Sequence, residues 1–129
     1  MTEEKPNPAR IQSHRDLIVW QKAMDLAEAT YKLAARFPAA ETYRLVSQLT
    51  RAAASVPANI AEGHARGSRR DFANFLAISK GSLMEAETFL TLSVRLKYIN
   101  TTEASAAFLL ITEISKMLTS LRSKLLTGT

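Results

Sequence analysis

The sequence has 129 residues, of which 47% are apolar and 22% charged, and its formal net charge at pH 7 is +5. This length and balance predict one globular domain with a single core. There is no cysteine, no recognisable secretory leader and no apolar run of 18 residues, which argues against a disulfide scaffold, a cysteine-ligated zinc site, a secreted protein and a membrane protein. We therefore expect a cytoplasmic protein.

The composition favours helix over sheet. The chain contains 20 alanines and 16 leucines but only 4 valines and 7 isoleucines, and alanine and leucine lose little side-chain freedom in a helix. Residues 1–12 carry two prolines and no apolar periodicity, so they are expected to form a flexible tail. Residues 13–129 are expected to form the domain.

The first helical segment runs from Asp16 to Phe37, where apolar residues recur at alternating three- and four-residue steps. Ser13 and Asp16 suit an N-cap pair. Pro38 stops the helix because the residue before a proline avoids the α region.

The second segment opens near Thr42 and ends at Gly63 or Gly67, with Pro57 in its interior. A proline there lacks the donor for the carbonyl four residues earlier and clashes with it, so the segment must kink or split. We favour a kink. The alternative, in which Ser55 caps a separate short helix, remains open.

The third segment begins at Ser68 and carries a seven-residue apolar recurrence, and the fourth follows a cap pair formed by Asn100 and Glu103. The fourth ends before Gly128. Four amphipathic helices with short connections predict an all-α fold, an antiparallel up-down-up-down four-helix bundle with a proline kink in helix two.

The positive charge is concentrated in residues 44–80, where six basic residues face only Glu62 and Asp71, a net charge of +4. The six candidate residues for binding RNA or DNA are Arg44, Arg51, Arg66, Arg69, Arg70 and Lys80.

Arg69 and Arg70 occupy the first turn of the third helix, where the helix dipole is already positive and a cation is unfavourable. Free backbone N–H groups at that terminus, with Gly67 before it, make the segment a candidate site for phosphate or carboxylate. The simpler alternative, that these arginines are solvated or paired with neighbouring acids, stays open. No aromatic residues are interleaved for base stacking, so contact with the backbone is favoured over base recognition.

The sequence offers no catalytic or metal-binding constellation. Glu85 and Glu87 diverge on helix three, no Glu-x-x-His motif or phosphate loop occurs, and no histidine is placed to serve a serine nucleophile. His14 and His64 are interpreted as surface or capping residues. We expect no enzymatic activity, no cofactor and no metal.

Several motifs resemble a known family. They are the segment from Asp16 to Ala23, Ser47-Gln-Leu, the run from Ser55 to Gly63, and Gly67-Ser-Arg-Arg-Asp-Phe72. Together they strongly resemble the 23S rRNA intervening-sequence proteins, which are named after open reading frames inserted in bacterial 23S rRNA genes. The resemblance covers nearly everything after the tail.

The resemblance implies a four-helix bundle without catalysis, with a homopentamer as the leading assembly. A related group, the accessory variability determinants of diversity-generating retroelements, looks similar in fold and forms basic pentamers that bind nucleic acid and a reverse transcriptase. By analogy, this resemblance implies RNA or DNA as a ligand and a protein partner such as a reverse transcriptase. The residues that match the structural motif of the family are Pro57, Asn59, Glu62, Gly63 and Gly67. We expect Asn59 and Glu62 to be satisfied within the fold, the alternative being a bond between subunits.

The sequence therefore predicts a non-enzymatic, homo-oligomeric bundle that binds RNA or DNA through a basic surface. The rival hypothesis is a protein-interaction adaptor whose basic rim docks an acidic protein, with no role for nucleic acid.

Overall fold

A computed structural model describes residues 12–128. The elements are a 3₁₀ turn at His14–Asp16, α1 at Ile18–Ala34, a 3₁₀ turn at Ala39–Glu41, a π-helical turn at Thr42–Val46, α2 at Ser47–Ala65, α3 at Arg69–Arg95 and α4 at Thr101–Thr127. Residues 12–128 contain no strand. The all-α fold is confirmed. The expected tail, residues 1–12, lies outside the described residues except for Gln12.

Each helix packs against the next, and α1 also packs against α4, which closes the bundle. The contacts between α1 and α4 are antiparallel, since Lys22 pairs with Glu113, and Arg36, just after the end of α1, pairs with Glu103, earlier in α4.

Helices α2 and α3 are also antiparallel, since Ser55 bonds to Ser82 and Gly63 lies against Phe75. Helices α3 and α4 are antiparallel because Ala73 accepts from Arg122 while Lys80 donates to Thr119. The helices are therefore arranged up-down-up-down, as short connections require.

The core is filled from all four helices, at the predicted positions in α2 and α4. On α1 the prediction is partly wrong, because Met24 and Tyr31 of the predicted stripe are 45% and 54% exposed, while Val19, Ala23 and Leu26 are buried. The most completely buried large residues of the core are Leu26, Leu49, Ile60, Leu76, Leu83, Leu90, Ile111, Ile114 and Leu118. Burial of apolar side chains makes the largest favourable contribution to the free energy of folding of such a bundle.

Three predicted helix boundaries are confirmed by their caps. Ser68 Oγ accepts a hydrogen bond from the Asp71 N–H at 3.1 Å, Asn100 and Glu103 form a reciprocal capping box, and Gly128 ends α4 with a left-handed backbone at φ 75°. Each signal satisfies backbone groups that the helix leaves unpaired at its ends.

The first helix begins later than predicted, and the second segment begins where predicted but in a different form. Ser13 and Asp16 do form a capping box, but it closes the 3₁₀ turn at His14–Asp16 and not the α-helix, which begins at Ile18 after the extended Leu17. The second segment opens at Thr42 as a π-helical turn and becomes α-helical at Ser47. Propensity does not encode these short irregular turns, which depend on how the chain enters the bundle.

Helix α2 continues through Pro57 from Ser47 to Ala65. The alternative of a separate helix capped by Ser55 is therefore wrong. Tertiary packing holds the helix together here, because Pro57 is buried and Ser79 Oγ of α3 donates to the carbonyl of Val56 at 2.9 Å. The kink itself stays a prediction.

By length and composition alone, α4 could span a membrane. This is weak evidence, since the core helix of a bundle passes the same test. Ala104, Ala107, Ile111, Ile114 and Leu118 of α4 are buried against the other helices, which explains its apolar character within the fold.

Candidate nucleic-acid interface

The connection between α2 and α3 places three of the candidate arginines at one end of the bundle. Gly67 has a φ of 83°, a left-handed conformation that favours glycine and lets the chain reverse direction within three residues. Arg66 lies before this turn, and Arg69 and Arg70 follow it as the first residues of α3. All three side chains belong to exposed residues.

The three arginines differ in how they are compensated. Arg66 Nη2 lies 3.0 Å from Glu62 Oε1, and its guanidinium stacks 4.9 Å from the centre of the Phe75 ring. Arg69 and Arg70 have no ion pair within residues 12–128. Their charges add to the positive end of the α3 dipole instead of being cancelled.

The antiparallel topology brings further cations to this end. Arg69 Nη1 lies 3.9 Å from the position that a Cβ at Gly128 would take, so it lies beside the C-terminal end of α4. Arg122 Nε of α4 donates to the carbonyl of Ala73 in α3 at 3.2 Å. Lys124 is exposed in the last turn of α4. We call the surface formed by Arg66, Arg69, Arg70, Arg122 and Lys124 the basic end.

Arg122 and Lys124 were missed by sequence reasoning. The order of charges along the chain, with its excess in residues 44–80, does not show that the bundle places the end of α4 beside the start of α3. The predicted topology contained the necessary signal, because in an up-down-up-down bundle those two termini meet at one end.

The remaining candidates lie away from the basic end. Arg44 lies at the opposite end of the bundle, where its Nη1 is 3.9 Å from Glu41 Oε1. Arg51 is exposed on α2, and at a helical rise of 1.5 Å per residue it lies roughly 20 Å along the axis from Arg66. Lys80 lies midway along α3, and its Nζ donates to Thr119 Oγ1 of α4 at 2.6 Å. The six candidates thus do not form one patch.

The family-motif residues act within the fold. The Asn59 amide donates to the carbonyl and the hydroxyl of Ser55 at 2.8 and 2.9 Å, and Ser55 Oγ lies 2.9 Å from Ser82 Oγ of α3. Glu62 pairs with Arg66 of the same chain. The expectation that Asn59 and Glu62 are satisfied within the fold is confirmed.

Among the described glycines, Gly63 has the least space for a side chain, because α3 packs closely against α2 there. A Cβ at this position would lie 2.5 Å from Phe75 Cβ and 3.1 Å from Phe72 Cδ1. The glycine is therefore required by close packing, which holds the start of α3 and its arginines against the end of α2.

Both histidines lie near the basic end, and each ring packs edge-on against an aromatic ring. His14 lies 5.0 Å from Trp20 and His64 lies 5.6 Å from Phe72, measured between ring centres. They contribute to packing and do not cap a helix. In the part of the chain that the structure describes, no group of three or more His, Cys, Asp or Glu side chains could hold a metal ion.

The fold and this site indicate a four-helix protein with a basic end, at which Arg69 and Arg70 have no ion pair within residues 12–128. Residues 15–120 match the family described as 23S rRNA-intervening sequence protein. The chain belongs to this family.

A solved structure is also similar. The crystal structure of a protein of unknown function from the S23 ribosomal protein family of Bacteroides thetaiotaomicron VPI-5482 matches with a TM-score of 0.73 and 30% sequence identity. The match covers 81% of this chain and 98% of that chain. No curated protein matches the sequence.

Proposed function

We propose that this protein is a non-enzymatic, homo-oligomeric helical bundle that binds RNA or DNA through the phosphate backbone. The observation that carries this proposal is the pair Arg69 and Arg70, placed at a helix start and without an ion pair within residues 12–128. Two adjacent cations at a positive helix end cost stability, and a phosphate supplied from outside offsets that cost.

The basic end is suited to backbone contact. Guanidinium and ammonium groups bind phosphate oxygens without reading the sequence, and affinity of this kind falls steeply as salt rises. Arg66, Arg69 and Arg70 are the centre of the proposed interface. Lys80 lies on an adjoining face, Arg51 lies farther along α2, and Arg44 lies in the π-helical turn before α2.

The first prediction concerns Arg69→Glu combined with Arg70→Glu. We expect about tenfold or more weaker binding to an RNA duplex at physiological salt, with a reduced salt dependence. Helicity should be unchanged, because glutamate is favourable in the first turn of a helix. Binding is measured by fluorescence anisotropy against sodium chloride concentration, and helicity by circular dichroism.

The matched control reverses two exposed cations at the opposite end of the bundle, Lys32→Glu with Arg95→Glu, and should bind nearly as the unmodified protein does. Equal loss in both variants would show a net-charge effect and refute a specific interface.

The adaptor hypothesis is tested by a pull-down repeated after nuclease treatment. A partner retained equally well after digestion would favour a protein partner, a reverse transcriptase among the candidates.

The outer face of α3 supports the homo-oligomeric part of the proposal. Ile78, Leu92 and Leu96 are 52%, 42% and 47% exposed, and their spacing places them on one side of the helix. An apolar stripe exposed along one side of a helix is the kind of surface that a second copy of the chain buries.

The second prediction concerns Ile78→Asp combined with Leu92→Asp. The unmodified protein is expected to have a mass near five times the 14.2 kDa of one chain, and the variant to be monomeric, because two buried carboxylates would oppose association. Light scattering coupled to size-exclusion chromatography measures both. Leu109→Asp, on the outer side of α4, is the control and should leave the mass unchanged. A variant that keeps the assembly would exclude this face of α3.

A further inference from the structure

The C-terminal half of α4 carries two adjoining surface hollows, of about 580 and 540 Å³. The larger lies between α3 and α4, and the smaller lies on the outer side of α4. The smaller is lined only by hydroxyl and ammonium side chains: Ser115, Lys116, Thr119, Ser120, Ser123 and Lys124. Lys80 and Arg122 line the larger hollow above an apolar floor. Neither hollow is lined by an Asp or a Glu of residues 12–128.

The cations of this region keep their charge uncompensated. Lys80 and Arg122 donate to a hydroxyl and to a backbone carbonyl, both neutral acceptors. Lys116 and Lys124 have no ion pair among the described residues.

Two acids lie near Lys116 without neutralising it. Glu113, three residues earlier on α4, is engaged by Lys22 of α1 at 2.7 Å. Glu87 of α3 lines a third hollow together with Lys116, but the two are not within ion-pair distance. The surface around the two larger hollows therefore has a net positive charge of its own.

The arrangement of donors favours a polymer of phosphates over a single anion. Lys116, Ser120 and Lys124 lie one helical turn apart, in steps of about 6 Å along α4. Lysine and hydroxyl side chains together are the usual donors to phosphate oxygens of nucleic acid. A row of donors can be used in full only by a ligand that repeats its acceptors along a line.

The described residues that line the two hollows include no aromatic side chain, which favours double-stranded over single-stranded nucleic acid. Unpaired bases are bound largely by stacking on aromatic side chains, whereas a duplex is bound through its phosphates and sugars. The region is also continuous with the basic end, since the larger hollow extends to Leu126 and Thr127, beside Gly128 and Arg69.

We infer that the α4 face, consisting of Lys116, Ser120, Ser123 and Lys124 with Lys80 and Arg122 beside it, binds the phosphate backbone of double-stranded nucleic acid. This inference rests on the proposed function and extends it, because it names the form of the ligand and continues the contact surface from Arg122 and Lys124 of the basic end along α4 to Lys116. The duplex lies along the seam of α3 and α4 and reaches the basic end at Arg69.

The test compares binding of a fluorescent RNA duplex of arbitrary sequence with binding of its single strand, across a range of salt concentrations. Lys116→Gln combined with Lys124→Gln should weaken duplex binding about tenfold and lower the slope of log affinity against log salt by about 2. Lys32→Gln combined with Arg95→Gln, which removes the same charge elsewhere, should match the unmodified protein. Both pairs are exposed on helices, and thermal unfolding confirms that the variants are folded.

The outcomes separate this inference from the proposed function. If the Lys116 and Lys124 variant binds as the control does while Arg69→Gln with Arg70→Gln binds weakly, the α4 face is excluded and the proposed function stands. If the unmodified protein binds no nucleic acid, both fail. Tighter binding of the single strand would overturn the assignment to a duplex. Equal binding of polyglutamate, lost equally in the variant, would assign the face to an acidic protein.

Discussion

Gly63→Ala is expected to lower the free energy of unfolding by about 1–3 kcal/mol, the usual cost of adding a methyl group to a fully packed contact. The added Cβ would lie 2.5 Å from Phe75 Cβ, which is fixed by the α3 backbone and cannot rotate away. The helices must therefore separate. Alanine has the better helix propensity by about 1 kcal/mol, and the steric cost has to exceed that gain.

Chemical denaturation followed by circular dichroism measures the effect, at a protein concentration low enough for the chain to be monomeric. Gly81→Ala is the matched control, since nothing lies within 4 Å of a Cβ there. It should raise the free energy of unfolding by about 0.5–1 kcal/mol through propensity alone. If both substitutions stabilise the protein, the close approach of α2 and α3 at Gly63 is refuted.

Because separation of α2 from α3 moves the turn at Gly67, Gly63→Ala should also disturb the basic end. Arg66 stacks on Phe75, the residue that the new methyl group displaces. The packing at Gly63 and the position of the arginines are thus physically linked.

Local signals in the sequence predicted the helices well. The apolar periodicity of α3 and α4 and the caps at Ser68, Asn100 and Gly128 appear in the structure where they were expected. These signals succeed because a cap or an apolar stripe depends on residues within one or two turns. The start of the second segment at Thr42 was predicted, but its π-helical form over Thr42–Val46 was not, because a π-helical turn has no comparable local signature.

The candidate site was predicted less completely, for a different physical reason. Arg69 and Arg70 stood out because a helix start disfavours cations, which is a local property. Arg122 and Lys124 carry no local signal, and they matter only because α4 ends where α3 begins. The role of Gly63 is likewise invisible in one helix, since it depends on the position of Phe75 across the contact.

Leu83→Ala, a truncation in the core, is expected to have the largest effect on stability. Here too the sequence predicts the direction of the side chain, and the tertiary contacts set the size of the effect. Leu83 is 0% exposed, and truncation of such a residue costs about 2–5 kcal/mol through lost burial and the cavity left behind. The periodicity of α3 predicts that this side chain faces inward. The structure adds that the site is sealed on every side, so that little water can fill the space.

Leu109→Ala makes the same chemical change on α4, where Leu109 is 62% exposed, and should change the free energy of unfolding by no more than about 0.5 kcal/mol. Because both substitutions replace leucine with alanine in a helix, differences in intrinsic propensity cancel between them. Equilibrium denaturation at one low protein concentration gives both values. Equal losses would mean that the exposed side of α4 is covered as thoroughly as the core, which contradicts the four-helix packing of a single chain and would place a subunit contact over Leu109.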